Sequence, residues 1–215
     1  MAEVRGEPAL GLRERKKQRT RATLVDAAVE LCNRQGFERT TVDQIAAVAD
    51  VSPRTFSRYF ATKEAVMLAL IDDTVELAAA ELERQPADIN HLEALYRAYV
   101  GMYRSTKTAP ANGLTPERLL AAVRIIMSSP ALRQASSEFR PHPANMALAK
   151  RIGVAVEDQR VKLISTVWAA IIMTAQDDLG ANTDWENLTI DELVARVDSA
   201  YSQFVDVIED VRQPV

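Results

Sequence analysis

Arg54, Thr55, Ser57 and Arg58 lie within the eight residues "PRTFSRYF" (53–60). At 100° per residue they share the side of a helix opposite Phe56 and Phe60. Donors gathered on one face of a short helix suit anionic oxygens and the acceptor edges of bases. A second set is aromatic and soft: Tyr96, Tyr99 and Tyr103 repeat on one helical face, with Met127, Met146 and Trp168 on other segments. Such residues could line an apolar ligand pocket, or could simply be core.

A third set is acidic. "IDDTVE" places Asp72, Asp73 and Glu76 in a DDxxE array, and Asp177-Asp178 forms a second pair. All-helical isoprenoid synthases bind magnesium diphosphate through two such motifs, so a prenyl-diphosphate enzyme is the alternative function. That alternative leaves the basic residues near the N-terminus unexplained, and the chain is short for the fold. His91 and His142 have no second His or Cys at ligand spacing and read as surface or loop residues, so no metal site is expected. Cys32 sits in an apolar helical stretch and reads as a small buried hydrophobe. There is no G-x-S-x-G, no phosphate-cradling glycine loop and no Cys/His pair, so neither catalytic residues nor a cofactor are expected.

The elements that must position these residues are helices. Gly is scarce, at 7 of 215 residues, and no alternating β-branched run occurs. The chain reads as all-α, with about nine helices near 12–35, 42–49, 53–60, 63–85, 90–105, 116–128, an interrupted stretch over 130–152, 157–179 and 189–210. Between the second and third, Asp50-Val51-Ser52 permits only a sharp turn, with Ser52 capping the next helix and Pro53 at its first position. That is a helix-turn-helix, whose second helix fits the major groove of duplex DNA. Thr41 and Gln44 stand at capping-box spacing at the start of the first of the pair.

Charge placement agrees. Residues 1–63 carry 12 Lys/Arg against 8 Asp/Glu, whereas the remainder carries 14 against 22. In "RERKKQRTR" (13–21) six of nine residues are basic, and Arg13, Lys17 and Arg21 occupy the helical face that Leu24, Ala28 and Leu31 hold further on. A helix whose apolar stripe gives way to cations is placed to lie along phosphates. No segment approaches the roughly 18 apolar residues of a membrane span, and no signal-peptide h-region precedes it, so a cytoplasmic protein without membrane partners is expected.

Gly36-Phe37 followed by "TTVDQIAAVADVSPRTFSRYFATKEAVML" resembles the TetR family of bacterial transcriptional repressors, over residues 14–68. The resemblance implies that Thr41, Thr55 and Tyr59 contact phosphate and that Pro53 and Arg54 face bases. It also matches Lys63 to the family's lysine at the start of the fourth helix, which implies a further phosphate contact. Asp50 stands where the family usually has glycine, which Asp tolerates because its short side chain permits a left-handed conformation. Ser57 replaces a common phosphate-binding Tyr, a contact for which Arg58 compensates.

The resemblance further implies a flexible extension over 1–12, a DNA-binding domain over 13–62 and an effector-binding and dimerisation domain over 63–215. "VKLISTVWAAIIMTA" (161–175) is apolar nearly all round, and the last helix carries apolar residues at three- and four-residue spacing. Val161, Ile164, Ile171, Val197, Tyr201, Phe204 and Ile208 are therefore candidates for a four-helix interface between two copies. The expected partners are a near-palindromic DNA operator, a second copy of the chain and a small hydrophobic or amphipathic effector.

Overall fold

A computed structural model describes residues 11–110, 113–180 and 182–212. Apart from Gly11 and Leu12, the extension expected over 1–12 lies outside the described residues. Among those residues every regular element is helical. The α-helices are α1 (Leu12–Gln35), α2 (Val42–Val48), α3 (Pro53–Tyr59), α4 (Lys63–Leu68), α5 (Asp72–Glu83), α6 (His91–Ser105), α7 (Pro116–Met127), α8 (Pro130–Ser137), α9 (Pro143–Ile152), α10 (Gln159–Ala175) and α11 (Ile190–Arg212). The count exceeds nine because two expected segments divide. Pro141 and Pro143 separate α8 from α9, whereas a 3-10 turn over Ala69–Ile71 separates α4 from α5. No Pro or Gly marks that second break, and nothing in the sequence accounts for it. No helix among the described residues is long and apolar enough to cross a membrane.

The chain forms two compact units that divide between Val66 and Met67. In the first, α1 packs on α2 and α2 on α3. Its buried side chains include Leu24, Ala28 and Leu31 from the second half of α1, Ile45 and Ala46 from α2, and Phe56 and Phe60. The Phe56 and Phe60 rings lie 5.8 Å apart. Capping sets the turn between the two helices. Thr41 Oγ1 accepts from Gln44 N–H at 3.2 Å while Gln44 Oε1 accepts from Thr41 N–H at 3.0 Å. At the far end of α2, Val51 N–H reaches Ala46 O and Asp50 N–H reaches Ala47 O, the double closure of a Schellman motif. Such a closure needs a left-handed residue, and Asp50 supplies it at φ +52°. Ser52 Oγ then accepts from Thr55 N–H at 3.1 Å, with Pro53 in the first turn.

In the second unit α5 packs against α6 and α9, and α11 packs against α10 and α6. Leu82, Ala98, Met102, Leu148 and Leu193 are at its centre, each at most 1% exposed. Val161, Ile171 and Val197 belong to the same core, at 0%, 5% and 1% exposure. These three interface candidates are thus covered by their own chain and cannot form a surface for a second copy. A stretch apolar on all sides does not reveal which side faces out. Exposure along α10 instead follows Leu163, Thr166, Ala170 and Thr174, and on α11 it includes Val207 and Ile208.

Candidate functional site

Arg54 and Arg58 stand four residues apart on α3, both exposed and without ion-pair partners among the described residues. The hydroxyls between them are committed locally: Ser57 Oγ donates to Pro53 O at 3.1 Å, and the Ser52 and Thr55 hydroxyls meet at 2.9 Å. The capped helix therefore presents two free guanidiniums, with a rim of hydroxyls and Pro53 around its start. Beside its last turn runs a groove lined by Arg13, Lys16, Lys17, Arg58 and Tyr59, with Leu12 and Glu14. Four cations against one carboxylate, which itself lies 3.8 Å from Lys17, make this groove complementary to a phosphate backbone. Thr41 remains exposed, and its hydroxyl proton is still free to be donated because its oxygen serves the cap as acceptor.

Two expected phosphate contacts are turned inward. The Lys63 ammonium donates to the carbonyls of Phe37 at 3.1 Å, Glu38 at 3.5 Å and Thr40 at 3.2 Å, and lies 4.2 Å from the Phe37 ring centroid. An ammonium has three donors, so all of them are used within the unit. The Arg21 guanidinium lies 5.3 Å from the Phe60 ring centroid, holding α1 to the end of α3.

The second unit holds a partly open cavity of about 140 Å³. Its wall draws Thr74 and Val75 from α5, Tyr99 and Tyr103 from α6, Val123 and Ile126 from α7, Asn145 from α9, Trp168 from α10 and Gln176 from just past the end of α10. Tyr99 and Trp168 meet at 5.1 Å and 57°. Burial pushes the Tyr99 phenol up to about 12 and raises that of Tyr103 as well, so both stay neutral hydrogen-bonding groups at physiological pH.

The other ligand candidates lie elsewhere. Tyr96 stacks on Tyr201 at 4.4 Å and donates to Asp198 Oδ1 at 3.0 Å, while Tyr201 donates to Glu93 Oε2 at 2.9 Å. This exchange ties α6 to α11 and occupies Tyr201, an interface candidate, inside its own chain. Met127 is buried in the core without lining the cavity, and Met146 is 59% exposed.

Among the wall residues that sequence reasoning missed are Thr74 and His142. Thr74 lies inside the acidic array, where the carboxylates drew the reading. His142, expected on the surface or in a loop, caps α9 and lines the cavity, its Nδ1 accepting from Asn145 N–H at 3.4 Å. Pro143 at the first helical position was the available signal for that cap. Burial, with the nearby Arg140 charge, holds the imidazole down at about 4 from an ordinary value of 6.5. The unfolded chain therefore binds this proton near pH 6.5 and the folded chain only near 4, so stability falls as pH drops through that window. His142→Asn keeps a capping acceptor and removes the titration. Its unfolding free energy is expected to lose about 1–3 kcal/mol less than that of the parent between pH 6.5 and 4, by parallel denaturant melts.

The carboxylates of the alternative enzyme reading are dispersed. Asp73 lies 3.7 Å from Arg118, Asp178 pairs with Arg196, and among the described residues no three His, Cys, Asp or Glu are grouped to hold a metal ion.

Comparison with known proteins is consistent with the DNA-binding geometry. The family model for bacterial regulatory proteins of the tetR family matches residues 24–70. Over 187 residues the chain is 36% identical to the HTH-type transcriptional regulator TcmR of Streptomyces glaucescens, covering 84% of this chain and 82% of that protein. It is 28% identical over 107 residues to the HTH-type transcriptional regulator HbdR of Aromatoleum sp. (strain CIB), covering 43% and 47%. A solved TetR-family regulator from Streptomyces coelicolor A3 aligns with a TM-score of 0.48 at 22% identity, over 91% of this chain and 96% of that one.

Proposed function

Since the chain belongs to the TetR family of transcriptional regulators, we propose that it acts in the cytoplasm as a repressor, binding a near-palindromic duplex site as a homodimer and leaving it when a small effector fills the cavity. The observation that carries the DNA half is the exposed Arg54–Arg58 face beside the cationic groove of α1. In this reading α3 enters the major groove, Arg54 meets base edges, and Arg13, Lys17, Thr41, Thr55 and Tyr59 meet phosphates. One head reads few base pairs, and pairing two copies about a two-fold axis remedies that.

The effector half rests on the partly open, largely apolar cavity. Ile71, Thr74 and Val75 in its wall follow closely in sequence after α4, the helix whose first residue fastens the 37–40 loop. An occupant that moved those residues would act on the same stretch of chain. It can release DNA only insofar as it binds the released conformation more tightly, and the coupling is reciprocal.

Two substitutions test the DNA half by separating specificity from affinity. Arg54→Ala should change the base preferred at one position of each half-site, at about 1–3 kcal/mol of discrimination. Arg13→Ala should leave the preferred sequence intact and lower the salt dependence by about one counterion per head. Selection from random duplexes, with affinities measured across salt concentrations, checks both, and an unchanged motif for Arg54→Ala contradicts base reading by α3.

A further inference from the structure

The cap that His142 makes for α9 fixes which of its nitrogens carries the proton. Nδ1 accepts from Asn145 N–H at 3.4 Å, and a neutral imidazole has one proton, so that proton sits on Nε2. The side chain is half-buried in the cavity wall, and Nε2 makes no hydrogen bond to the described residues. A second donor belongs to the same wall. The half-buried Tyr99 phenol takes the Trp168 indole N–H on its oxygen and keeps its own proton to give. The Arg140 charge reaches both His142 and Tyr99, which places the two donors toward one end of the cavity. By contrast Asn145 is committed within the protein, donating to Arg140 O at 2.8 Å and accepting from Ser165 Oγ at 2.7 Å. Full charges are missing from the wall. No Lys or Arg is among the described residues lining the cavity, and its only carboxylate, Glu138, is exposed. Burial keeps Tyr99 and Tyr103 protonated and His142 unprotonated, so acid and base alike stay neutral there, and a charged ligand would meet the same cost.

We propose that the cavity takes an uncharged, mainly apolar ligand whose acceptor oxygen is held by the His142 Nε2–H, with the Tyr99 hydroxyl as the second donor. This rests on the reading of the cavity as the effector site and names the chemistry that site selects. The imidazole discriminates because its proton has no acceptor in the protein, and a hydrocarbon of the same shape gives it none.

Three probes of one shape test this on the full-length protein at neutral pH: the ketone acetophenone, the hydrocarbon ethylbenzene and the anion benzoate. The chain has two histidines, so 15N-histidine labelling gives two imidazole spin systems, and His142→Ser, which keeps a capping oxygen, identifies the one from the cavity. The free protein should show His142 as the neutral Nε2–H tautomer. The ketone should bind about tenfold tighter than either other probe and move the Nε2 signal, while ethylbenzene should leave it nearly unchanged. In His142→Ser the ratio of ketone to hydrocarbon affinity should fall to about one, and Tyr99→Phe should reduce the ratio independently. A proton on Nδ1, an Nε2 signal that bound ketone does not move, equal affinity for ketone and hydrocarbon, or tightest binding of benzoate each overturns the proposal and leaves the cavity as effector site. Binding of none of the three overturns both.

Discussion

Replacing Lys63 with alanine should destabilise the reading head, where loss of a phosphate contact would only weaken its grip on DNA. The ammonium gathers three carbonyls from the 37–40 loop, 23 to 26 residues earlier in the chain. Phe37 and Thr40 in that loop are 3% and 1% exposed, so the freed carbonyls cannot readily turn to water. Thr40 immediately precedes Thr41, whose cap starts α2, so the loop also fixes where the helix-turn-helix begins. Hydrogen bonds to a charged group contribute about 1.5–3 kcal/mol each, and with partial relaxation the net loss should be about 2–4 kcal/mol. That is a large part of the 5–15 kcal/mol that holds a typical domain folded. Thermal and denaturant melts of the full chain should show a destabilised transition, accompanied by loss of binding to specific and random duplex alike. An unchanged melt with a uniformly weaker, less salt-dependent affinity would instead make Lys63 a phosphate ligand.

Leu163→Glu is expected to lower operator affinity by about 10²–10⁴-fold without altering the head, because it should separate two copies that bind as one. Leu163 is 63% exposed on α10, in line with Thr166, Ala170 and Thr174, and Val207 is 60% exposed on α11. Small side chains flanked by uncovered Leu and Val suit close packing against a second helix pair. A buried carboxylate without a partner opposes that packing, and the symmetry axis introduces it twice. Sedimentation should give a dimer for the parent and a monomer for the variant, while affinity for a single half-site stays the same. Val207→Glu provides an independent check on the other helix. Two variants that both stay dimeric would place the interface on another face.

Much of the head was legible because its determinants are local. The Thr41–Gln44 box, the Ser52 cap with Pro53 behind it and the left-handed tolerance of Asp50 each depend on residues at most a few positions apart, and each has the expected geometry. The spacing of Phe56 and Phe60 likewise gave the buried face. What escaped depends on distant chain. A lysine opening a helix looks exposed until folding brings Phe37 and Thr40 to it, and Tyr96 looks like pocket lining until Tyr201, 105 residues on, stacks against it. Val161, Ile171 and Val197 were correctly apolar but their direction was undetermined. Tyr99, Tyr103 and Trp168 do line the cavity, yet their spacing could not separate them from Met127, which is plain core.

The most direct test of the account is to capture genomic or random duplexes with the full-length protein and determine both the enriched sequence and the mass of the complex. A two-fold symmetric motif with half-sites about one helical turn, or a small multiple of it, apart, bound by two chains or an even number of them, is the predicted result. Enrichment of no sequence, or of an asymmetric motif bound by a single chain, would contradict it.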